Sequence, residues 1–269
     1  MRARALHSDV LVVTSALLQL NCVAVRAVGD EPPGEGETFV IDSPVLPEEL
    51  QSLPPLLAQA QFPAPSGLLA THGDWDHLLG RLAFPGLALG CAESTARRLA
   101  ARPGEPQRAL RSFDEELAID RSVPLGLGAL QPLPVPGRLD IAGRELELYA
   151  TGGHTDDGMA LLVAWAGVLV AGDYLSAIEI PTVHGDGGIE AYLETLERLR
   201  APIARVENVV PGHGPIMARE RALELLEEDV AYLQALRERG EQAELPQGRQ
   251  RPADKRLHEE NVASTRGRA

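Results

Sequence analysis

The stretch Thr71-His72-Gly73-Asp74-Trp75-Asp76-His77 places two imidazoles and two carboxylates within six positions. Carboxylates crowded together repel one another and lose hydration, so such a cluster is costly unless a cation sits among its members. An apolar run, Gly67 to Ala70, precedes the cluster and reads as a buried strand that ends at it. Taken alone, the stretch also has a plainer reading, with Asp74 or Asp76 capping a short helix ahead of Leu78 and Leu79. The same device then recurs downstream: an apolar run followed by a histidine or aspartate beside glycine. It stands at Gly153-His154, Gly172-Asp173 and Gly212-His213-Gly214. In layered α/β proteins catalytic groups collect at strand ends, where loops from separate elements converge. Imidazoles and carboxylates gathered in this way point to a metal centre.

The elements that must position these groups are legible around them. Cys22 to Ala27 and Thr38 to Ile41 read as an antiparallel strand pair joined by the Gly/Pro/Glu-rich loop 29–37. Pro47 opens a helix to about Gln61, with Glu48 and Glu49 in its first turn complementing the helix dipole. A short helix follows from Asp76, then a strand over Leu87 to Gly90. An Ala/Arg-rich helix starts at Glu93 or Ser94 and stops before Pro103, and another runs from Glu105 to about Asp120. Residues 123–137 form a long Pro- and Gly-rich connection.

A strand at Arg144 to Ala150 carries the chain to His154. A hairpin, Met159 to Ala164 and Val168 to Ala171, carries it to Asp173. After the amphipathic helix Ile189 to Leu199, the buried strand Asn208 to Val210 ends at His213. A long helix from about Ile216, with Gly240 as its C-cap, closes a domain over 1–240. Residues 241–269 read as a polar tail in which Ala253 to Ala263 could add a short helix.

With 269 residues, 44% of them hydrophobic, the chain can bury a sizeable core, and with 4% aromatics Leu, Val and Ala must fill it. A net charge of -14 repels phosphate backbones, so nucleic acid is not an expected partner. Cys22 and Cys91 make no disulfide framework and read as small buried hydrophobes, which suits a reducing compartment. Arg2 and Arg4 ahead of the apolar stretch Val10 to Leu20 resemble an export signal. Asp9, Thr14, Ser15 and Gln19 interrupt it and no small-residue cleavage pattern follows, so a cytoplasmic location is expected. No run approaches the ~18 apolar residues of a membrane span, and no membrane association is expected. A small molecule is the expected partner.

The order of motifs resembles the metallo-β-lactamase fold superfamily over about Cys22 to Gly240. That family's signature is His-x-His-x-Asp-His, then Gly-His, Gly-Asp and a final Gly-His, each at a strand end. Here it corresponds to His72 through His77, Gly153-His154, Gly172-Asp173 and Gly212-His213. The resemblance implies an α/β fold, a four-layer αββα sandwich of two β-sheets with helices outside. It also implies two divalent metal ions, zinc or iron/manganese. His72, Asp74 and His154 would hold the first, Asp76, His77 and His213 the second, with Asp173 bridging both. The implied activity is hydrolysis of a small ester, thioester or lactone-like substrate by a metal-bound hydroxide, which Asp76 could orient.

Asp74 departs from the family pattern, in which most members carry histidine. A carboxylate adds negative charge and a hard oxygen, which shifts preference toward iron or manganese and makes bound water less acidic. Three outcomes stay open: a working dinuclear hydrolase, a weak first site with only the second filled, or a redox centre. The last resembles the family's flavodiiron branch, which has a glutamate there and an added flavodoxin-like domain. Without a visible electron entry in this sequence, hydrolysis is the favoured reading, ahead of an iron-dependent oxidoreductase and of a non-catalytic member with a degraded site.

Other residues are weighed beside these. Tyr174, next to Asp173, could donate to an oxyanion or simply pack against the site's wall. His184 could contact substrate or be an idle loop histidine. Asp156 and Asp157 read chiefly as turn-stabilising residues before the hairpin, with a charge that disfavours strongly anionic substrates. Trp75 reads as pocket wall or core. Segments 125–137 and 174–188 are the expected specificity loops.

Overall fold

The computed structural model describes residues 1–28, 36–183 and 187–266. One sheet follows chain order: β1 (Arg2–His7), β2 (Val10–Thr14), β3 (Asn21–Val28), β4 (Gly36–Ile41), β5 (Gly67–Leu69), β6 (Leu89–Ala92) and β7 (Leu130–Leu133). Its first four strands pair antiparallel, and β4 through β7 pair parallel. The other sheet is built from β8 (Gly137–Ile141), β9 (Arg144–Ala150), β10 (Met159–Val163), β11 (Val168–Gly172), β12 (Asn208–Pro211) and β13 (Met217–Ala218). Its order is β13-β12-β11-β10-β9-β8, antiparallel except for the parallel pair β11 and β12.

Strand residues alternate between two buried faces, which is why these strands read as nearly continuous apolar runs. In β3, Val23 and Val25 face the layer between the sheets, where they meet Ile41, Leu161 and Val170. Cys22 and Ala24 face the other way, toward α1 (Pro47–Gln59), α3 (Glu93–Ala101) and α4 (Glu105–Leu117) through Leu53, Leu99 and Leu110. The second sheet repeats the scheme: Leu162 and Leu169 meet Leu196 of α5 (Ile189–Ile203) and Leu225 of α6 (Arg219–Arg239). The result is the helix, sheet, sheet, helix order of a four-layer αββα sandwich. Burying one valine or leucine side chain fully contributes about 1.5–3 kcal/mol, so the inner layer is a main source of cohesion.

Three stretches differ from their sequence reading. The apolar N-terminal segment is sheet: Val10 and Val12 enter the inner layer, Leu11 and Val13 face the helices, and β1 lies exposed at the edge. Charged residues such as Arg2 and Arg4 on an edge strand discourage edge-to-edge pairing. The long connection 123–137 contains β7, and β8 begins at its end. In the C-terminal stretch the short helix expected over Ala253 to Ala263 is present and longer, as α7 (Pro252–Arg266), and it docks on the second sheet's helices, where Val262 joins their core.

The anchors of that last segment are polar. Arg249, 2% exposed, donates to Asp229 Oδ1 at 2.5 Å and to the Ser176 and Glu179 carbonyls at 3.3 and 3.0 Å. Asn261 accepts from the Val183 N–H and donates to the Pro181 carbonyl, both at 2.8 Å. Buried polar groups are tolerated when paired in this way. The two residues therefore fasten the segment after Asp173 to the C-terminal part of the chain. Among the described residues no helix is long and apolar enough to cross a membrane.

Candidate metal centre

Every ligand-type residue stands where a strand gives way to a loop, and the loops of both sheets meet at one end of the sandwich. β5 runs into His72 and Asp74, with Asp76 and His77 on the one-turn 3₁₀ helix Trp75–Leu78. The loop between β9 and β10 carries His154, β11 ends at Asp173, and β12 ends just before His213. The sheets are stitched together here. Met159 N–H donates to the Thr71 carbonyl at 2.7 Å, and Asn21 N–H to the Gly212 carbonyl at 2.8 Å. The Asn21 side-chain amide adds bonds to the Pro211 and Gly214 carbonyls, each at 2.9 Å.

Seven side chains converge. His72 Nε2 and His154 Nε2 lie 3.5 and 3.4 Å from Asp74 Oδ2. His213 Nε2 and His77 Nε2 lie 3.4 and 3.9 Å from Asp76 Oδ2. Asp173 reaches both groups, with Oδ1 3.1 Å from His77 Nε2 and Oδ2 3.4 Å from the Nε2 atoms of His154 and His213. Donor atoms at about 2.0–2.2 Å from a tetrahedral cation stand about 3.3–3.6 Å apart, and five of the seven distances here, at 3.4 or 3.5 Å, fall in that range. Three sets have their donor atoms within 4.8 Å of one another: His72, Asp74 and His154; Asp76, His77 and His213; and His72, His77 and Asp173.

Buried atoms left over by the protein's own bonding supply a separate test of fit. His72 Nε2, His77 Nε2 and Asp173 Oδ1 are buried without a hydrogen bond of acceptable geometry among the described residues. Orphaned donors and acceptors of this kind are costly, and a coordinated cation would satisfy them together. Two of the Nδ1 atoms are engaged from behind. His77 Nδ1 lies 2.9 Å from Asp42 Oδ2, and His213 Nδ1 lies 3.0 Å from the Leu18 carbonyl. Each outer partner accepts an Nδ1–H, which leaves the Nε2 lone pair aimed at the cluster.

Electrostatics agree with a cation-seeking site. Burial works against charge on His77, yet the carboxylates of Asp173, Asp42 and Asp76 outweigh it and hold the imidazole well above its ordinary range. For Asp173 burial favours the neutral acid, but the charges of His213, His77 and His72 hold it well below the usual carboxylate range. Asp74 is likewise held well below that range, burial favouring the neutral acid but the adjacent His154 and His72 imidazoles outweighing it. The cluster thus keeps its carboxylates ionised and demands positive charge beside them.

Sequence reasoning missed Asp42, although it uses the same device, a carboxylate directly after β4. It accepts from Thr71 N–H at 2.8 Å and from Thr71 Oγ1–H at 2.9 Å, besides holding His77. Its φ of +55° is a region that aspartate and asparagine tolerate better than most residues. Asp42→Asn keeps that backbone freedom and removes the charge behind His77. We expect a loss of about 10–100-fold in metal affinity, the usual effect of an outer-shell change, measured by competition with a chromogenic chelator. Unchanged affinity would show that Asp42 does not orient the imidazole.

The other predicted residues fall as follows. Tyr174 is buried; its hydroxyl accepts from the His154 N–H at 3.2 Å and its ring packs on Tyr192 with centroids 4.6 Å apart. The hydroxyl thus supports the His154 loop from beneath. His184 lies outside the described residues. Asp157 does not serve its local turn alone: its carboxylate accepts from Gly73 N–H at 2.9 Å and from Arg98 Nη1 at 2.8 Å, tying down the loop that holds His72 and Asp74.

A cavity of about 640 Å³ opens above the cluster, with Asp74, Asp76, His154 and Asp173 on its floor. Trp75 and Phe113, with ring centroids 4.5 Å apart, form one wall. Leu18, Ile178 and Leu257 add apolar surface, the last from α7 together with Arg256. Glu179, also at the cavity, has its carboxyl pushed up by burial, against the pull of His213 and with help from Asp173 and Asp76.

A family model described as the metallo-beta-lactamase superfamily matches residues 17–213, which contain all seven converging residues. The chain belongs to the metallo-beta-lactamase superfamily. Solved structures of metallo-beta-lactamase family proteins share the fold at low identity. One from Thermus thermophilus is 24% identical, with TM-score 0.60, over 84% of this chain and 80% of its own. A beta-lactamase domain protein from Burkholderia ambifaria is 19% identical, with TM-score 0.64, over 97% of this chain and 87% of its own. The stereoselective inverting sec-alkylsulfatase of a Pseudomonas species is 13% identical, with TM-score 0.73, over 99% of this chain but only 50% of its own. No curated protein matches the sequence. Within the residues that match the metallo-beta-lactamase superfamily, the chain carries candidate His/Asp metal-binding groups.

Proposed function

We propose that this protein is a hydrolase dependent on two divalent cations and acts on a small ester, thioester or lactone-like substrate. The single observation that carries the reading is the convergence of four imidazoles and three carboxylates near ligand spacing at the base of one cavity, whose floor Asp74, Asp76, His154 and Asp173 form. His72, Asp74 and His154 would hold the first cation, Asp76, His77 and His213 the second, and Asp173 would reach both. When bound, such ions make water a nucleophile at neutral pH and polarise a carbonyl oxygen.

The chain's own residues supply the rest. Asp76 stays ionised, because His77 and His213 overcome the effect of its burial, and its carboxylate is placed to accept a proton from, and orient, a nucleophile on the cavity floor. Trp75 and Phe113 offer a surface for the apolar part of a substrate. Leu257 and Ile178 add apolar surface to the same cavity. Two of the structural relatives, a metallo-beta-lactamase and a sec-alkylsulfatase, are enzymes that cleave bonds with water, which favours hydrolysis. The oxidoreductase reading rests on Asp74 alone.

Chelation tests the proposal directly. Protein stripped of metal should lose turnover of a panel of aryl esters, thioesters and lactones, and regain it when zinc, manganese or iron(II) is returned. Turnover that persists at full rate in metal-free protein would falsify it.

A further inference from the structure

Asp74 has two oxygens, and only one faces the cluster. Oδ2 lies 3.5 and 3.4 Å from the Nε2 atoms of His72 and His154, while Oδ1 accepts from Arg98 Nη2 at 2.7 Å. The other arm of the same guanidinium donates to Asp157 Oδ1 at 2.8 Å, and Asp157 Oδ2 accepts from the Gly73 N–H at 2.9 Å. Arg98 is therefore a fork between the residue where the family has histidine and the carboxylate that anchors the loop. It sits within α3, its side chain 11% exposed, packed behind the Gly73 backbone and away from the cavity.

We infer that Arg98 is a positioning residue that makes Asp74 serviceable as a metal ligand, by fixing its rotamer and offsetting the charge it adds. The inference rests on the metal reading above. Two physical steps carry it. The terminal torsion of an aspartate is broad and roughly two-fold, so an untethered carboxylate would present either oxygen, or neither, to a cation. Tying Oδ1 to a planar guanidinium fixes Oδ2 on the cluster side, as an Nδ1 partner fixes a ligating imidazole. Charge is the second step. One guanidinium between Asp74 and Asp157 leaves the trio a single net negative charge instead of two, so part of the charge that Asp74 adds is offset, while Glu105, 3.9 Å from Nη2 and more exposed, adds only a solvent-screened charge. The shift toward hard metals that a bare carboxylate would impose is weakened accordingly.

Residues that act as a unit give non-additive variants, and here the sign itself should change. The readout is cobalt(II) uptake by the full-length protein, followed by visible absorption and by stoichiometry, with no substrate present. Arg98→Met should weaken the first site about 10–100-fold and leave the second unchanged. In an Asp74→His background a neutral imidazole faces a guanidinium that keeps Asp157 but has lost its second close carboxylate. There Arg98→Met should leave first-site affinity unchanged or make it tighter. Should Arg98→Met not fold, because Asp157 is left unpaired, Arg98→Lys carries the test. An ammonium cannot hold both carboxylates in one planar fork, so affinity should fall about tenfold in the Asp74 protein and not at all beside Asp74→His. Equal loss in both backgrounds, or no loss in either, overturns the role of Arg98 and leaves the metal reading intact. Parent protein that binds no cobalt overturns both.

Discussion

Asp173→Ala is expected to lower turnover by about a thousandfold, ~4 kcal/mol in the activation barrier, and to leave the protein with at most one tightly bound ion. No other carboxylate of the cluster approaches all four imidazoles: Oδ1 lies 3.1 Å from His77 Nε2, while Oδ2 lies 3.4 Å from His154 and His213 and 3.8 Å from His72. It lies within 4 Å of imidazoles from both groups, so on the proposed reading its removal takes a ligand from each. The balance of charge changes as well, since four imidazoles then face only Asp74 and Asp76. Metal content by elemental analysis and turnover on the responsive ester should fall together. Asp173→Ala protein that retained two ions would place the bridging role elsewhere.

Gly212→Ala is expected to do comparable damage to metal binding without touching a ligand. A methyl carbon at Gly212 would stand 2.0 Å from Asp173 Oδ1 and 3.1 Å from His77 Cε1, well inside contact distance. Its backbone cannot retreat. The N–H donates to the Gly172 carbonyl at 2.6 Å, and the carbonyl accepts from Asn21 N–H at 2.8 Å. Space, rather than an unusual φ, is what demands glycine here. Overpacking of this kind costs about 1–3 kcal/mol, and the displaced atom is a ligand, so loss of metal accompanies loss of stability. Urea unfolding and metal stoichiometry should both register the change. A variant within ~0.5 kcal/mol of the parent and with full metal content would mean that Asp173 has room to move.

The ligand loops are legible because each repeats one pattern, an apolar strand closed by glycine and a histidine or aspartate, and a strand period survives in the sequence. Asp42 obeys that pattern yet escapes notice, since a single carboxylate without a neighbouring histidine looks like any strand end. Arg98 leaves no trace at all: it is one arginine among several in an Ala/Arg-rich helix, and its partners lie 24 and 59 residues away. The N-terminal strands are obscured because polar interruptions that argue against an export signal also conceal the alternation of Val10, Leu11, Val12 and Val13. Arg249 and Asn261 show the converse difficulty. Both are polar, which suggests solvent, and both are buried because their partners are backbone carbonyls and Asp229, supplied only by the folded chain.

The helix that ends the described chain contributes Leu257 and Arg256 to the cavity wall but no member of the ligand cluster. On the proposed function, reactivity and selectivity fall to separate stretches of polypeptide. Substitutions on the cavity side of that helix can redraw which molecules are admitted while the bond-breaking apparatus beneath stays untouched, a division of labour that lets one scaffold diversify its diet without relearning its trade.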